Sequence, residues 1–184
     1  MNGTFNYIRC SIFIIYNMNI ETDRLTLTEF TKNDATFFYN LVNEPAWKKY
    51  IGDRNVNSIK DAETYLTEKI IPSYQQHGFG FYIVSIKNDN IPIGMCGLIK
   101  RNWMDYIEIG YAFLSTYRGK GFALEASIAT KKYAKTHLGI HKLAAITNVN
   151  NDRSSNLLQK LGFEYNRLIT YPGEETKCKL YLEK

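Results

Sequence analysis

The residues with the plainest chemical capacity lie between Tyr106 and Lys132, centred on Arg118-Gly119-Lys120-Gly121-Phe122-Ala123. Glycines at 119 and 121 leave the main chain without Cβ atoms, so a ligand can approach its N–H groups, and Arg118 and Lys120 add two cationic heads. A helix starting just behind such a loop offers N–H groups with no helical partner and a partial positive charge. Together these make a seat for a diphosphate. A tight strand-to-helix turn with solvated Arg and Lys has the same composition, so the loop alone does not decide. The second group is Glu108, set in the alternating apolar run Ile107-Glu108-Ile109-Gly110-Tyr111-Ala112-Phe113. A half-desolvated carboxylate there is expected to titrate above the usual range and to suit proton transfer; a structural Glu in a salt bridge is the other reading.

Holding these groups requires a strand before the loop and a helix after it. Residues 107–113 alternate as a strand, and Ala123-Leu124-Glu125-Ala126 have high helix propensity. The helix is predicted from Gly121 to about His137, with Leu124, Ile128 and Ala129 on one face, ending before Gly139. Upstream, residues 20–30 read as one strand, with Leu25 and Leu27 facing away from Arg24, Thr26 and Thr28. Thr31 or Asn33 can cap a helix through Phe37, Phe38, Leu41 and Val42 that ends near Pro45. Ser58 and Asp61 resemble a capping box for a second helix, which Pro72 bends or ends. Residues 79–86 and 93–100 flank the polar turn Lys87-Asn88-Asp89-Asn90 and form a hairpin. Beyond the glycine loop come a strand at 142–147, parallel to the strand before the loop, a helix at 152–161, and two returning strands.

One domain of 184 residues is implied, with 45% hydrophobic and 22% charged residues as in a globular protein. Residues 1–17 read as an N-terminal extension, disordered or added as an edge strand, and residues 18–184 as the domain. The apolar run 11–16 falls far short of the roughly 20 residues that span a bilayer. A formal charge of +5 suits an anionic ligand, and no dense Lys/Arg block points to nucleic acid. Cys10, Cys96 and Cys178 are spaced apart, with no C-x-x-C or paired-His motif, so reduced thiols in a cytoplasmic protein without a metal are expected.

The glycine loop fits neither G-x-x-x-x-G-K-[ST] nor G-x-G-x-x-G. Arg118-x-x-Gly121-x-Ala123 instead matches the Q/R-x-x-G-x-G/A signature of the GNAT N-acetyltransferase superfamily. Glu21-Thr22-Asp23-Arg24-Leu25 resembles the E-T-x-R-L opening of its RimJ/RimL-like, ribosomal-protein branch. Residues 151–163 are similar to that branch's N-x-x-S-x-x-L-L-x-K-L-G-F block, in the same order along the chain. The resemblance covers about residues 18–184. It implies an α+β fold: a mixed, mostly antiparallel sheet of six to seven strands with a V-shaped split, flanked by about four helices. It also implies acetyl-coenzyme A as co-substrate and an amine acceptor, either a protein N terminus or a small molecule, with the oligomer left between monomer and homodimer.

From the resemblance, the main chain of Phe113, Leu114 and Ser115 would pair with the pantetheine arm, and residues 118–123 would hold the diphosphate. Asn151 would steady the arm from the other side, although a helix cap is an equal reading. Trp47 and Tyr50 would wall the acceptor pocket; alternatively Trp47 simply packs on a helix end. Acetyl transfer needs a neutral amine, so Glu108 is the expected base, and an N–H near Phe113 or Leu114 the oxyanion donor. Leu158 stands where many GNAT enzymes carry an acidic Tyr, which leaves Ser154 as the expected proton donor or as a helix cap. A coenzyme A-binding regulatory module without turnover is the rival reading.

Overall fold

The structure is a computed structural model that describes residues 19–184. The expectations for residues 1–17, and for Cys10, lie outside the described residues.

An eight-stranded sheet forms the spine, in the order β1-β2-β3-β4-β5-β6-β8-β7. The first two strands are β1 (Asn19–Glu21) and β2 (Leu25–Glu29), where one continuous strand was expected. The Thr22 side chain explains the break. Its Oγ1 accepts from Leu25 N at 2.8 Å while Thr22 N donates to Leu25 O at 2.9 Å, folding the chain into a hairpin. This hairpin raises the strand count among the described residues to eight, against the expected six to seven.

Between β2 and β3 (Phe81–Ile86) lie α1 (Ala35–Val42), α2 (Pro45–Tyr50), α3 (Ile59–Tyr65) and α4 (Ile71–His77). Thr31 and Asp34 make a complete capping box before α1. Pro45 does not merely end the first helix. It opens α2, where its missing N–H costs nothing, so residues 47–50 are helical and not a connection. Ser58 caps α3 by accepting from Asp61 N, whereas Asp61 reaches back to Asn57 N. A π turn at Leu66–Ile70 joins α3 to α4 just before Pro72, so proline bends this helix without stopping it. Counting α3 and α4 as one bent rod gives five α-helices among the described residues, against about four expected.

Strands β3, β4 (Ile91–Lys100) and β5 (Ile107–Phe113) form an antiparallel meander. Helix α5 (Phe122–His137) then crosses over to β6 (Leu143–Asn148), parallel to β5. After α6 (Asp152–Lys160), β7 (Phe163–Thr170) takes the outer edge, and β8 (Lys177–Glu183) inserts between β6 and β7. The helices α1 to α4 pack on one face of the sheet, around Phe38, Leu41, Trp47 and Leu66 with Met95. The other face is covered by α5 and α6, around Leu98, Ile109, Leu143 and Leu158.

The buried face of α5 differs from the apolar face expected. Ala126, Ser127, Thr130 and Ala134 are buried, while Ile128 is exposed. Small side chains let the helix approach β4 closely, and the Cys96 thiol lies 3.4 Å from Thr130 Oγ1 and 3.7 Å from Ser127 Oγ. Burial pushes the Cys96 thiol up to about 11, so it stays protonated.

Candidate active site

Strands β5 and β6 pair only at Ile107–Leu143 and Glu108–Ala144. Beyond those residues the two strands have no further paired positions, so a gap opens at the C-terminal end of β5. Leu114 N donates to Ile93 O of β4 at 3.0 Å. Because successive main-chain groups point to opposite edges of a strand, the N–H groups of Tyr111 and Phe113 then point toward the gap.

A short turn at Ser115–Tyr117 leads from β5 into the glycine loop. Gly119 and Gly121 adopt φ of +76° and +83°, left-handed values that a Cβ would strain. Space around Gly119 is open to 4 Å, whereas a Cβ on Gly121 would meet Arg24 Nη2 at 3.3 Å. Helix α5 starts at Phe122, so the N–H groups of its first turn lie directly behind the loop. Lys120 Nζ lies 5.4 Å from the centre of the Tyr117 ring.

Several groups that the family resemblance assigns to a pantetheine arm have partners within the protein. Phe113 O accepts from Arg118 Nε at 2.8 Å, and Leu114 N is committed to β4. Ser115 N donates to both Glu44 oxygens, at 3.0 and 3.2 Å, and its Oγ lies 3.1 Å from Glu44 Oε1. Arg118 Nη2 donates to Glu44 Oε2 at 2.7 Å. Arg118 is therefore a brace between the end of β5 and the residue before α2, rather than a free cation. Of the expected oxyanion donors, Phe113 N–H faces the gap and Leu114 N–H does not.

A second brace stands behind the loop. Arg24 Nε donates to Glu125 Oε2 at 2.6 Å, Arg24 N to Glu125 Oε1 at 3.0 Å, and Thr22 Oγ1 to Glu125 Oε1 at 2.6 Å. Arg24 Nη1 donates to Lys120 O at 3.1 Å, and its guanidinium lies 4.6 Å from the centre of the Phe122 ring. Partial burial works to raise the Glu125 pKa, but the bonds from Thr22 and Arg24 outweigh it and hold the carboxyl below its ordinary range. The Thr and Arg of the opening motif thus fix the first turn of α5 and neutralise the acidic group nearest its N terminus.

On the α1–α4 face, a cleft of about 620 Å³ runs from α2 to the gap, lined by Trp47, Tyr50, Glu108, Gly110, Ala112 and Thr147 among others. Glu108 is 4% exposed. Its Oε2 accepts from Arg101 Nε at 2.7 Å, and Arg101 Nη2 lies 3.5 Å from Oε1. Burial pushes the Glu108 pKa up, and the nearby Arg101 and Arg54 guanidiniums pull against it without cancelling it. Glu108 is therefore in the salt bridge that one sequence reading gave it, and its burial holds the carboxyl above the usual carboxylate range. Trp47 is buried and Tyr50 half-buried, and both line the cleft with Glu108.

Asn151 caps α6, its Oδ1 accepting from Ser154 N at 3.1 Å. The Ser154 hydroxyl lies 3.0 Å from the Tyr111 hydroxyl, a contact that reaches across the gap from β5 to α6. Burial pushes the Tyr111 pKa above its ordinary value, so the phenol stays neutral and orients the serine hydroxyl. Leu158, where an acidic Tyr was looked for, is 1% exposed and belongs to the core.

The structure thus brings Glu108, Trp47 and Tyr50 together at the cleft. It groups Phe113 to Ala123 with the gap, and joins Ser154 to the gap through Tyr111. Sequence reasoning missed Arg101, Tyr111, Glu44 and the Arg24–Glu125 pair. The last had a signal, since Arg24 belongs to the opening motif; the others carried none.

Residues 24–164 match the family model described as "Acetyltransferase (GNAT) domain". YoaA, an uncharacterized N-acetyltransferase of Bacillus subtilis, is 26% identical over 147 residues, covering 79% of this chain and 82% of its own. The uncharacterized N-acetyltransferase p20 of Bacillus licheniformis is 28% identical over 152 residues, covering 80% and 83%. Among solved structures, the RimL ribosomal L7/L12 α-N-protein acetyltransferase bound to coenzyme A superposes with a TM-score of 0.78 at 16% identity, covering 90% of this chain and 97% of that one. An acetyltransferase of Agrobacterium tumefaciens gives 0.77 at 17%, covering 100% and 98%. With the matched model spanning the glycine loop, the gap and both ends of the cleft, the chain belongs to the GNAT acetyltransferase family.

Proposed function

We propose that the protein transfers the acetyl group of acetyl-coenzyme A directly to a primary amine, with a protein or peptide N terminus as acceptor. One observation carries this reading: the β5–β6 ladder stops at Glu108, which lines the cleft, and leaves the rest of β5, up to the turn into the glycine loop, unpaired on its β6 side. The likeness to RimL, named for acetylating an α-amino group, supports the choice of acceptor.

When bound, acetyl-coenzyme A supplies an electrophilic thioester carbon and a thiol whose conjugate base can leave near neutral pH. The open main chain at Gly119 and Gly121 and the first turn of α5 fit its diphosphate, and the gap fits an extended arm lying as a false strand. Glu108, in its ionised form, takes the proton from the acceptor ammonium, directly or through one water. Phe113 N–H is the donor turned toward the position where negative charge develops on the carbonyl oxygen. Ser154, oriented by Tyr111, can hand a proton to the departing sulfur.

Calorimetry with acetyl-coenzyme A, paired with a thiol-release assay over N-terminal peptides, polyamines and aminoglycosides, tests the reading. Binding and turnover of an α-amino group are expected. The rival regulatory module gains if the protein binds acetyl-coenzyme A but none of the amines elicits thiol release. Replacing Glu108 with Gln is expected to move efficient acetylation to higher pH, where the amine loses its proton unaided. An unchanged pH profile would remove Glu108 from the base role.

A further inference from the structure

The cleft that leads to Glu108 is cationic. Lys48, Lys49, Arg54, Lys69, Lys100 and Arg101 line it, against the carboxylates of Glu68, Glu108 and Glu174. Two of these cations have close acidic partners: Arg101 holds Glu108, and Lys48 lies 3.7 Å from Asp53. Of the rest, Lys49 lies over the Tyr50 ring, 5.2 Å from its centre, and Lys100 reaches the Met104 carbonyl at 3.5 Å. Arg54 is exposed and has no ion pair among the described residues, yet it is near enough to act on the Glu108 carboxylate. The inner end therefore sets two guanidiniums against one carboxylate.

These cations do not serve the diphosphate seat, because residues 118–123 do not line this cleft. They face whatever enters from the α2 side. A polycationic acceptor would have to bring further positive charge against Lys49, Arg54 and Lys69. An acceptor with carboxylates behind its amine gains there instead, and the same cations disfavour the protonated form of the amine that must attack.

Resting on the transferase reading above, we infer that the acceptor is an acidic peptide N terminus: an α-amino group followed within a few residues by Asp or Glu. Polyamines and aminoglycosides are excluded by charge.

Thiol release measured with three peptides of equal length tests this. One carries Asp and Glu after a leading Ser, one Asn and Gln, and one Lys and Arg; spermidine is the fourth acceptor. The acidic peptide is expected to exceed the neutral one by about tenfold in kcat/KM at low salt, the basic peptide and spermidine to fall below it, and the ratios to shrink as salt screens the cleft. Arg54→Glu and Lys49→Glu, both at accessible positions and checked for folding by circular dichroism, are expected to reduce or invert the order. Basic peptide or spermidine used as well as the acidic peptide overturns the inference, as does an order that Arg54→Glu leaves unchanged. Acetyl-coenzyme A binding with charge-blind turnover removes this inference alone. Binding with turnover of none of the four removes the transferase reading along with it.

Discussion

Replacing Arg101 with Leu tests the electrostatics of the site in a way that catalysis alone cannot. The substitution removes the Nε bond to Glu108 Oε2 at 2.7 Å and the longer contact at 3.5 Å, and strands a carboxylate that is 4% exposed. Breaking a buried pair by deleting one partner costs about 3–5 kcal/mol. The Arg101 side chain is 28% exposed, so the low end applies, about 3 kcal/mol. That is roughly a 150-fold change in the folding equilibrium, and for a chain of this size a fall of about 9 °C in Tm.

The loss must depend on pH. Glu108 already has a folded pKa above its unfolded value, so its contribution to stability is fully present below the unfolded pKa and is lost as pH rises through the folded one. Without Arg101 the folded pKa rises further. The two proteins therefore differ least toward acid pH, where Glu108 takes up its proton in both, and more as pH rises through the folded pKa. Urea unfolding across a pH series measures this, and adding Glu108→Gln to the Arg101→Leu protein should recover most of the loss at the high-pH end. Equal destabilisation across the series, or no recovery in the double variant, would refute the coupling.

Arg24→Ala should weaken acetyl-coenzyme A binding by roughly tenfold in calorimetry, since Glu125 then faces the diphosphate seat less compensated, while affinity for pantetheine, which has no diphosphate, stays unchanged. Gly121→Ala should destabilise the fold by about 1–2 kcal/mol in urea titrations, the cost of a Cβ at a left-handed φ, and should weaken the same binding because it also pushes on Arg24. Ser154→Ala should lower kcat by up to about 100-fold with KM for acetyl-coenzyme A little changed, and Tyr111→Phe should lower it less, because the phenol only orients the serine. Equal effects of the two substitutions would make Tyr111 more than an orienting group.

Much of this architecture is written locally in the chain. The alternation at 107–113, the glycines at 119 and 121, and the caps at Thr31 and Ser58 depend on neighbours a few residues away, so each could be read directly. The eighth strand escaped because one threonine side chain turns the chain where the pattern of alternation continues. The face of α5 was misread because hydrophobicity points to Ile128, whereas the approach to β4 is set by small residues packed beside Cys96. The site's partners were hidden for a different reason. Arg24 and Glu125 are 101 positions apart, Glu44 and Ser115 are 71 apart, and Tyr111 and Ser154 are 43 apart. No periodicity links such pairs; only the folded sheet brings them together.

Glu44 has a wider bearing than its four side-chain hydrogen bonds. It is the residue just before α2, the helix carrying Trp47 and Tyr50, and it is fastened to Ser115 and Arg118 at the mouth of the gap. The wall that an incoming amine would touch is thereby tethered to the loop that a nucleotide tail would touch. Neither can shift far without straining these bonds, so one carboxylate holds the two walls in a fixed relation.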